Sequence, residues 1–183
     1  MGMYCLNMLA IALELARTRP AYEDVATKFF EHFIYIAHAI SDRCEGVSLW
    51  DEEDGFFYDS IHGADGSHIS LKIRSFVGLI PLFAVETIEP DLLERLPRFR
   101  RRMQWFIDNR PRLVASVASF TEPGRCGRRL LSLLDRRKLE RVLPRMFDEG
   151  QFLSPHGLRA LSKWHEDHPF TLDVDGQHHT VRY

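Results

Sequence analysis

The sequence has 183 residues, of which 45% are hydrophobic and 27% are charged. This composition excludes an intrinsically disordered chain, and the length suits one ordinary globular domain. The formal net charge is −2, so we expect neither a nucleic-acid partner nor binding to an acidic membrane surface.

The cysteines indicate a reducing compartment. Cys5, Cys44 and Cys126 form neither a CxxC pair nor a metal-ligand spacing, and an odd, sparse set predicts free thiols in a cytoplasmic protein. The apolar start of the sequence lacks a basic region and contains Glu14, which favours a helix over a signal peptide or a membrane span.

The first forty residues are predicted to form a helical hairpin. Apolar residues recur at helical spacing in two stripes, Leu6, Leu9, Leu13 and Ala16, then Val25, Phe29, Phe33, Ile36 and Ile40. Pro20 lies between the stripes, where a second helix can begin, and the acidic residues Glu23 and Asp24 suit its positive end.

Helical periodicity stops between residues 41 and 72, where the motif WDEEDGFFYD runs from Trp50 to Asp59. A long loop inside a compact domain is more often functional than idle. Aromatic rings beside carboxylates suit a sugar, because the rings stack on its apolar face and the carboxylates accept hydrogen bonds from its hydroxyls. A solvated acidic turn before a core-filling strand is the alternative. An EF-hand is excluded, since Gly55 at loop position six would put Trp50 and Ile61 at positions one and twelve.

The second half of the chain alternates helical and loop patterns. The clearest amphipathic stripe is Leu92, Leu96, Phe99, Met103 and Phe106. The run from Arg98 to Arg102 is out of phase with that stripe, which favours a solvated helix face over a nucleic-acid patch. Asp135 is expected to cap a further helix, and Asp175-Gly176 predicts a β-hairpin.

A second candidate binding segment is SPHGLRALS, from Ser154 to Ser162. It places a histidine, a glycine and an arginine on a loop that enters a helix, which suits hydroxyl or anion binding; a plain loop and cap is the alternative. His165, His168, His178 and His179 lack the HExxH spacing and are expected to be solvated. We therefore predict no metal and no cofactor.

Several segments, in chain order, resemble the C-terminal catalytic domain of bacterial proteins like glycoside hydrolase family 63, one of the six-hairpin glycosidases. They are MYCLNMLAIALELA with YEDVATKFFEHFIYIA, SLWDEEDGFFYD, RSFVGLIPLFAVE with RRMQWFIDNRP, and LLSLLDRRKLERVLPRMFDEGQFLSPHGLRALSKWHEDHPF. The resemblance covers nearly the whole chain, and WDEEDGFFYD and LSPHGLRALS are its most specific parts.

The resemblance implies a mainly α fold, a partial (α/α)6 barrel with short β-hairpins in its loops. It also implies a hydrolase of O-glycosyl bonds that acts with inversion on α-glucosides or related glycosides, through an acid and a base roughly 6.5–9.5 Å apart. By the family pattern, the acid precedes the helix that begins at Met3 and the base follows Tyr183, so no catalytic residue is expected here. The matching residues are substrate-binding: Trp50, Asp51, Asp54, Phe57, Tyr58, Asp59, Ser154, His156, Gly157 and Arg159.

We therefore expect residues 1–183 to form one domain that is a fragment of a larger catalytic domain, and to be inactive in isolation. A non-catalytic helical scaffold or carbohydrate-binding module is the alternative. Too few helices are predicted to close a barrel, so faces such as Phe29, Phe33 and Ile36 would be uncovered and would promote self-association.

Overall fold

The computed structural model describes residues 1–41, 48–63, 66–117, 120–174 and 176–183. It is 49% helical and 21% strand, and the strands of these residues form five small antiparallel pairs. The prediction of a mainly α fold, part of an (α/α)6 barrel, is therefore wrong, and the fold is mixed. The reason is that segments expected to be loops between helices pair with one another as short strands.

The helices of the described residues are α1 (Gly2–Ala16), α2 (Tyr22–Ser41), α3 (Pro90–Arg95), α4 (Pro97–Asn109), α5 (Pro111–Val114) and α6 (Arg136–Met146). The 3-10 segments are Phe76–Phe83, Arg125–Gly127 and Lys163–Glu166. The strand pairs are β1 (Trp50–Asp51) with β2 (Phe56–Phe57), β3 (Asp59–His62) with β4 (His68–Leu71), β5 (Val85–Ile88) with β6 (Arg129–Ser132), β7 (Leu153–Ser154) with β8 (Gly157–Leu158), and β9 (Phe170–Val174) with β10 (Gln177–Val181).

The chain divides into two compact units. Unit 1 comprises Met1–Asp42 and Pro81–Arg136, and unit 2 comprises Arg43–Ile80 and Arg137–Tyr183. This division does not test the expectation that residues 1–183 form a single domain, which stays a prediction. Among the described residues, no helix has the length and apolar character needed to cross a membrane.

The core of unit 1 is a group of aromatic rings around Phe30 on α2. The ring of Phe30 lies 5.8 Å from that of Phe99, 5.9 Å from that of Phe106 and 5.3 Å from that of Phe120, and all four side chains are fully buried. Edge-to-face and tilted contacts of this kind stabilise a core beyond the area that they bury. The helical stripe expected on α2 is thus off by one position, since Phe30 lies at its centre and Val25 is exposed.

Helix α4 follows the sequence prediction closely. Phe99, Met103 and Phe106 are buried, and the basic residues between them are exposed. Pro97 is the first residue of α4 and ends the short helix α3, because proline is accepted in a first turn but not in a helix interior. The Glu23 carboxylate accepts hydrogen bonds from the backbone N–H groups of Arg98 and Phe99 at 2.9 and 3.0 Å, which satisfies the start of α4.

Helix α1 is apolar on two sides. The predicted stripe Leu6, Leu9, Leu13 and Ala16 is confirmed as buried. A second stripe, Tyr4, Met8, Ile11 and Leu15, is exposed, at steps of four, three and four residues. By contrast Phe33, on a face predicted to be uncovered, is fully buried. The stripe of Tyr4, Met8, Ile11 and Leu15, called the outer face of α1 below, is therefore an exposed apolar surface of this hairpin.

Unit 2 packs its aromatic residues around Phe56, whose ring stacks on that of Phe152 with 5.7 Å between centroids. Gly78 lies so close to this group that a Cβ atom there would be 2.5 Å from the carbonyl oxygen of Phe57 and would overlap the Phe56 ring. The position therefore requires the absence of a side chain.

Candidate functional site

The Trp50–Asp59 motif folds as a tight turn between β1 and β2, with Trp50 opposite Phe57. The Asp51 carboxylate accepts the backbone N–H of Asp54 at 2.8 Å, and the Asp51 carbonyl accepts that of Gly55 at 2.8 Å. Gly55 has φ +63°, and a Cβ atom there would be 2.6 Å from Cζ of Arg141. Aspartate and glycine therefore hold the turn by side-chain bonding and by backbone freedom.

The aromatic residues of the motif lie in the core of unit 2. Trp50 is 3% exposed, Phe57 4% and Tyr58 5%, and the rings of Trp50 and Phe57 are 4.8 Å apart. A ring that stacks on a sugar must present one face to solvent, and these faces are covered by protein. Their role as sugar contacts stays a prediction, while their packing role is visible.

Three acidic residues of the motif, Asp51, Glu52 and Asp54, are paired with cations. Lys72 Nζ lies 2.9 Å from Asp51 and 3.3 Å from Asp54, and Arg74 donates to the other Asp54 oxygen at 3.3 Å. Arg137 donates to both oxygens of Glu52 at 2.7 and 3.0 Å, a bidentate arrangement. Lys72 thus lies between the Asp51 and Asp54 carboxylates, and Asp54 is also paired with Arg74.

These pairings lower carboxyl pKa values. Hydrogen bonds from Arg137 lower the pKa of Glu52 to about 2, although partial burial opposes them. For Asp51, burial works to raise the pKa, but the Asp54 backbone N–H and the Lys72 ammonium outweigh it and the pKa is lowered. The bond from Lys72 to Asp51 in turn raises the pKa of the lysine. A general acid needs a raised pKa, so Asp51 and Glu52 are unsuited to that role.

Arg74 links the motif to the C-terminal part of the chain. Its guanidinium donates to the Tyr58 hydroxyl at 3.4 Å and lies 4.0 Å from the centre of the Trp164 ring. Its backbone N–H donates to Nε2 of His165 at 2.8 Å, and its carbonyl accepts the N–H of Ser162 at 2.8 Å. With its side chain only 9% exposed, Arg74 is the polar centre of unit 2.

His165 is fully buried, so the expectation that it is a solvated surface histidine is wrong. Its Nε2 accepts from Arg74, so its proton lies on Nδ1, which donates to the His168 carbonyl at 2.8 Å. Burial lowers its pKa, and the Arg74 charge acts in the same direction. The ring is therefore a neutral structural bridge.

Arg145 on α6 completes this group of charges. Its guanidinium donates to the carbonyl of Asp54, and burial, followed by the nearby Arg74 charge, lowers its pKa. Arg141 donates to the carbonyls of Glu52 and Glu53 at 2.5 and 2.8 Å. Arginines on one helix thus bind the backbone of the whole acidic turn.

One polar atom of the motif is buried without a hydrogen bond. The indole Nε1 of Trp50 has no partner in bonding geometry, although it is close enough to the Glu52 carboxylate to help lower that pKa. A buried donor without a partner is uncommon in a folded protein, and Trp50 Nε1 is such a donor.

The Ser154–Ser162 segment folds as the β7–β8 hairpin and not as a loop entering an α-helix. The Ser154 hydroxyl donates to the Gly157 carbonyl at 2.7 Å, and Gly157 has φ +122°. His156 is exposed at the tip. Ser162 caps the 3-10 segment that follows, accepting the N–H of Trp164 at 3.3 Å.

Arg159 holds this hairpin from within. Its guanidinium donates to the carbonyls of Glu149 and Gln151 at 3.0 and 3.3 Å and also to that of Leu153. Its Nε donates to the Tyr183 hydroxyl at 3.2 Å. These bonds leave the predicted ligand-binding arginine engaged mainly with backbone.

The structure places both predicted segments in unit 2 and connects them through Arg74 and through the Phe56–Phe152 stack. The exposed members of the predicted set are Asp59, His156 and Gly157. Sequence reasoning missed Lys72, Arg74 and His165, because isolated basic residues carry no pattern that reveals partners far along the chain.

A separate open depression of about 510 Å³ lies in unit 1, along α4. It is lined by Pro97, Arg100, Arg101, Gln104, Trp105, Asp108 and Asn109. It contains none of the predicted site residues, and because one helix face supplies its walls we attach no chemistry to it.

Among the described residues, no group of three or more histidine, cysteine, aspartate or glutamate side chains could hold a metal ion.

The protein thus has a mixed fold of helices and strands, and ion pairs stabilise its Trp50–Asp59 motif. The chain is similar to the uncharacterized protein YMR196W of Saccharomyces cerevisiae, with 44% identity over 196 aligned positions. The match covers all of this chain and 18% of the relative, so the chain spans about a fifth of the relative's length. No family model and no solved structure matches the chain.

Proposed function

We propose that this chain is a non-catalytic part of a cytoplasmic glycoside hydrolase acting on α-glucosides or related glycosides, with the acid and base on other segments. The observation that carries the non-catalytic assignment is the pairing of Asp51, Glu52 and Asp54 with Lys72, Arg74 and Arg137. The glycosidase assignment rests on the resemblance of the ordered sequence segments.

In this proposal unit 2 forms part of a sugar-binding wall. Exposed groups, above all Asp59, His156 and the backbone at Gly157, contact sugar hydroxyls, while the buried rings and ion pairs keep the hairpins rigid. A site is more selective when the groups behind it fix its geometry. The match to 18% of a much longer relative supports the idea that further segments contribute to such a protein.

Turnover and binding measurements on the isolated chain test the proposal. We expect no release of nitrophenol from nitrophenyl α-glucosides, and heat of binding on titration with α-linked glucose disaccharides. Asp59→Asn is expected to weaken that binding. Asp24→Asn, which changes an exposed carboxylate on α2, is the matched control and should bind as the parent does.

Two results would contradict the proposal. Hydrolysis that disappears in Asp59→Asn would place the chemistry in this chain. No detectable sugar binding by a folded protein would instead favour a helical scaffold without a carbohydrate site.

Self-association belongs to the same proposal, with a second copy of the chain on the outer face of α1. Tyr4 is 63% exposed and Ile11 52%, and contiguous exposed apolar residues promote association. We expect Ile11→Glu to shift sedimentation toward the monomer, whereas Val25→Glu, at an exposed position on α2, should not. Identical sedimentation of parent and Ile11→Glu across concentrations would rule out this face.

A further inference from the structure

Two histidines face each other across the β3–β4 hairpin of unit 2. His62 is directly opposite His68 in the register, and their ring centroids are 4.3 Å apart with the planes at 87°. Both side chains are exposed. The sequence hides this pair, because the spacing matches no metal-binding motif and only the strand pairing brings the rings together.

The strand geometry explains why the rings are so close. The N–H of Gly63 donates to the carbonyl of Ser67 at 2.8 Å, so that pair is the hydrogen-bonded one. Bonded and non-bonded pairs alternate along antiparallel strands, which makes His62 and His68 a non-bonded pair. Side chains approach most closely at such pairs.

Both imidazoles are exposed to solvent, and the described residues show one polar contact of their ring nitrogens. Nε2 of His62 lies 3.3 Å from the Ser60 hydroxyl, and in the tautomer with its proton on Nε2 the lone pair of Nδ1 is free. A hydrogen bond to the second ring nitrogen is what commonly orients a metal-binding histidine. Binding of one ion by both rings requires rotations about their side-chain bonds that bring one nitrogen of each ring to a common point.

We propose that His62 and His68 chelate a divalent first-row transition-metal ion. Imidazole suits copper, nickel and zinc, whereas magnesium and calcium prefer oxygen ligands. Two protein ligands do not close a coordination sphere, so water or an external ligand occupies the other positions. The site is thus an open metal-binding position and not a closed structural one.

Other histidines in unit 2 lack this arrangement. His165 is buried and uses both ring nitrogens within the protein. Nδ1 of His178 bonds the Asp173 carboxylate at 2.7 Å, and the register places Leu172 opposite His179. His179 is therefore an exposed hairpin histidine without a second imidazole across the strand, which makes it a suitable control.

Titration of the full chain, prepared without a histidine tag, against a competing coloured chelator tests the proposal. We expect one Cu²⁺ site, weaker binding of Ni²⁺ and Zn²⁺ in the usual order, and no competition from Mg²⁺ or Ca²⁺. His62→Gln and His68→Gln should each lower Cu²⁺ affinity by roughly a hundredfold, the size of gain expected when a second ligand binds intramolecularly. His179→Gln should leave the affinity unchanged.

Electron paramagnetic resonance of the Cu²⁺ complex gives a second readout, in which the parent should show two equatorial nitrogens and each single variant one fewer. Circular dichroism confirms that the variants fold. Unchanged Cu²⁺ affinity in either single variant would overturn the proposal. So would Cu²⁺ binding with the parent's affinity by the variant that carries both His62→Gln and His68→Gln. Loss of binding in only one single variant would also overturn it, because the site requires both rings.

Discussion

The two units of the chain are stabilised by different forces. Unit 1 has an apolar centre, in which three phenylalanine rings surround Phe30, and the buried Glu23 carboxylate bonds the start of α4. Unit 2 surrounds its aromatic group with ion pairs and with arginine bonds to backbone, centred on Arg74. Ion pairs are screened by salt and lost when their carboxylates are protonated, whereas apolar burial is subject to neither effect, so the units should respond differently to the same perturbation.

The largest effect is expected from Phe30→Ala in unit 1. Removing a fully buried ring leaves a cavity between three others and should lower the free energy of unfolding by about 3–5 kcal/mol. Chemical denaturation measures the loss, and hydrogen exchange should show it in α2 and α4. Tyr35→Ala is the control on the same helix: its ring is 52% exposed and the cost should be below about 1 kcal/mol. Equal losses in the two variants would mean that Phe30 is not the centre of the core.

Arg74→Met should have the next largest effect, and in unit 2. The change keeps much of the volume against Trp164 but removes the cation from Asp54 and Tyr58, at a cost of about 3 kcal/mol. Exchange of backbone amides in the β1–β2 turn is the local measurement. Arg128→Met is the matched control, because its pair with Glu89 is exposed and contributes at most about 1 kcal/mol. If the two variants are equally stable, unit 2 does not depend on its buried arginine.

A smaller effect is expected from Glu23→Ala, which removes the carboxylate that is buried against the start of α4. Two backbone N–H groups at the start of α4 would lose their acceptor, with a loss of about 1 kcal/mol, as for other helix caps. Thermal unfolding followed by circular dichroism measures the loss, and hydrogen exchange locates it in α4. Asp24→Ala is the control, because that side chain is exposed in the same turn of α2. If Glu23→Ala leaves the free energy of unfolding unchanged, water replaces the carboxylate as the acceptor without loss of stability.

The smallest effect is a dependence on pH in unit 2. The pKa of Glu52 is lowered from 4.5 to about 2 by Arg137, so its stabilising contribution is fully present above pH 4.5. That contribution is lost as the pH falls from 4.5 towards 2, because the unfolded chain takes up the proton first. Chemical denaturation at a series of pH values should therefore show a steeper loss of stability on acidification in the parent than in Glu52→Gln. If the stability of the two proteins falls in parallel with pH, the Glu52 carboxylate does not contribute to this pH dependence.

The same contrast explains what the sequence could predict. The buried stripes of α1 and α4 follow from helical periodicity, and the β9–β10 hairpin follows from its turn residues, although Asp175 lies outside the described residues. The contacts of Arg74 with Tyr58 and His165 join distant positions by single polar atoms, which no periodicity marks. The barrel prediction was wrong for a related reason: β5 pairs with the distant strand β6, and segments between helices were not recognised as strands.

The sequence predicted which residue types make up the candidate site, but not which of them are buried or ion-paired. The motif placed carboxylates beside aromatic rings, as the sequence indicates, yet the burial of Trp50 and the pairing of Asp54 depend on residues supplied by other segments. The apolar stripes of α1 and α4 are readable from their own periodicity. A carboxylate is free or neutralised according to what folds against it, and that is a tertiary property.

The close contact at Gly78 has a genetic consequence. Every missense change in that codon adds a Cβ atom where the Phe57 carbonyl and the Phe56 ring already lie. A saturation library at this position should therefore return silent changes alone when selection for the folded protein is made at a high growth temperature. Substitutions there would be candidates for temperature-sensitive alleles, which would make this codon a convenient handle for depleting the protein in cells.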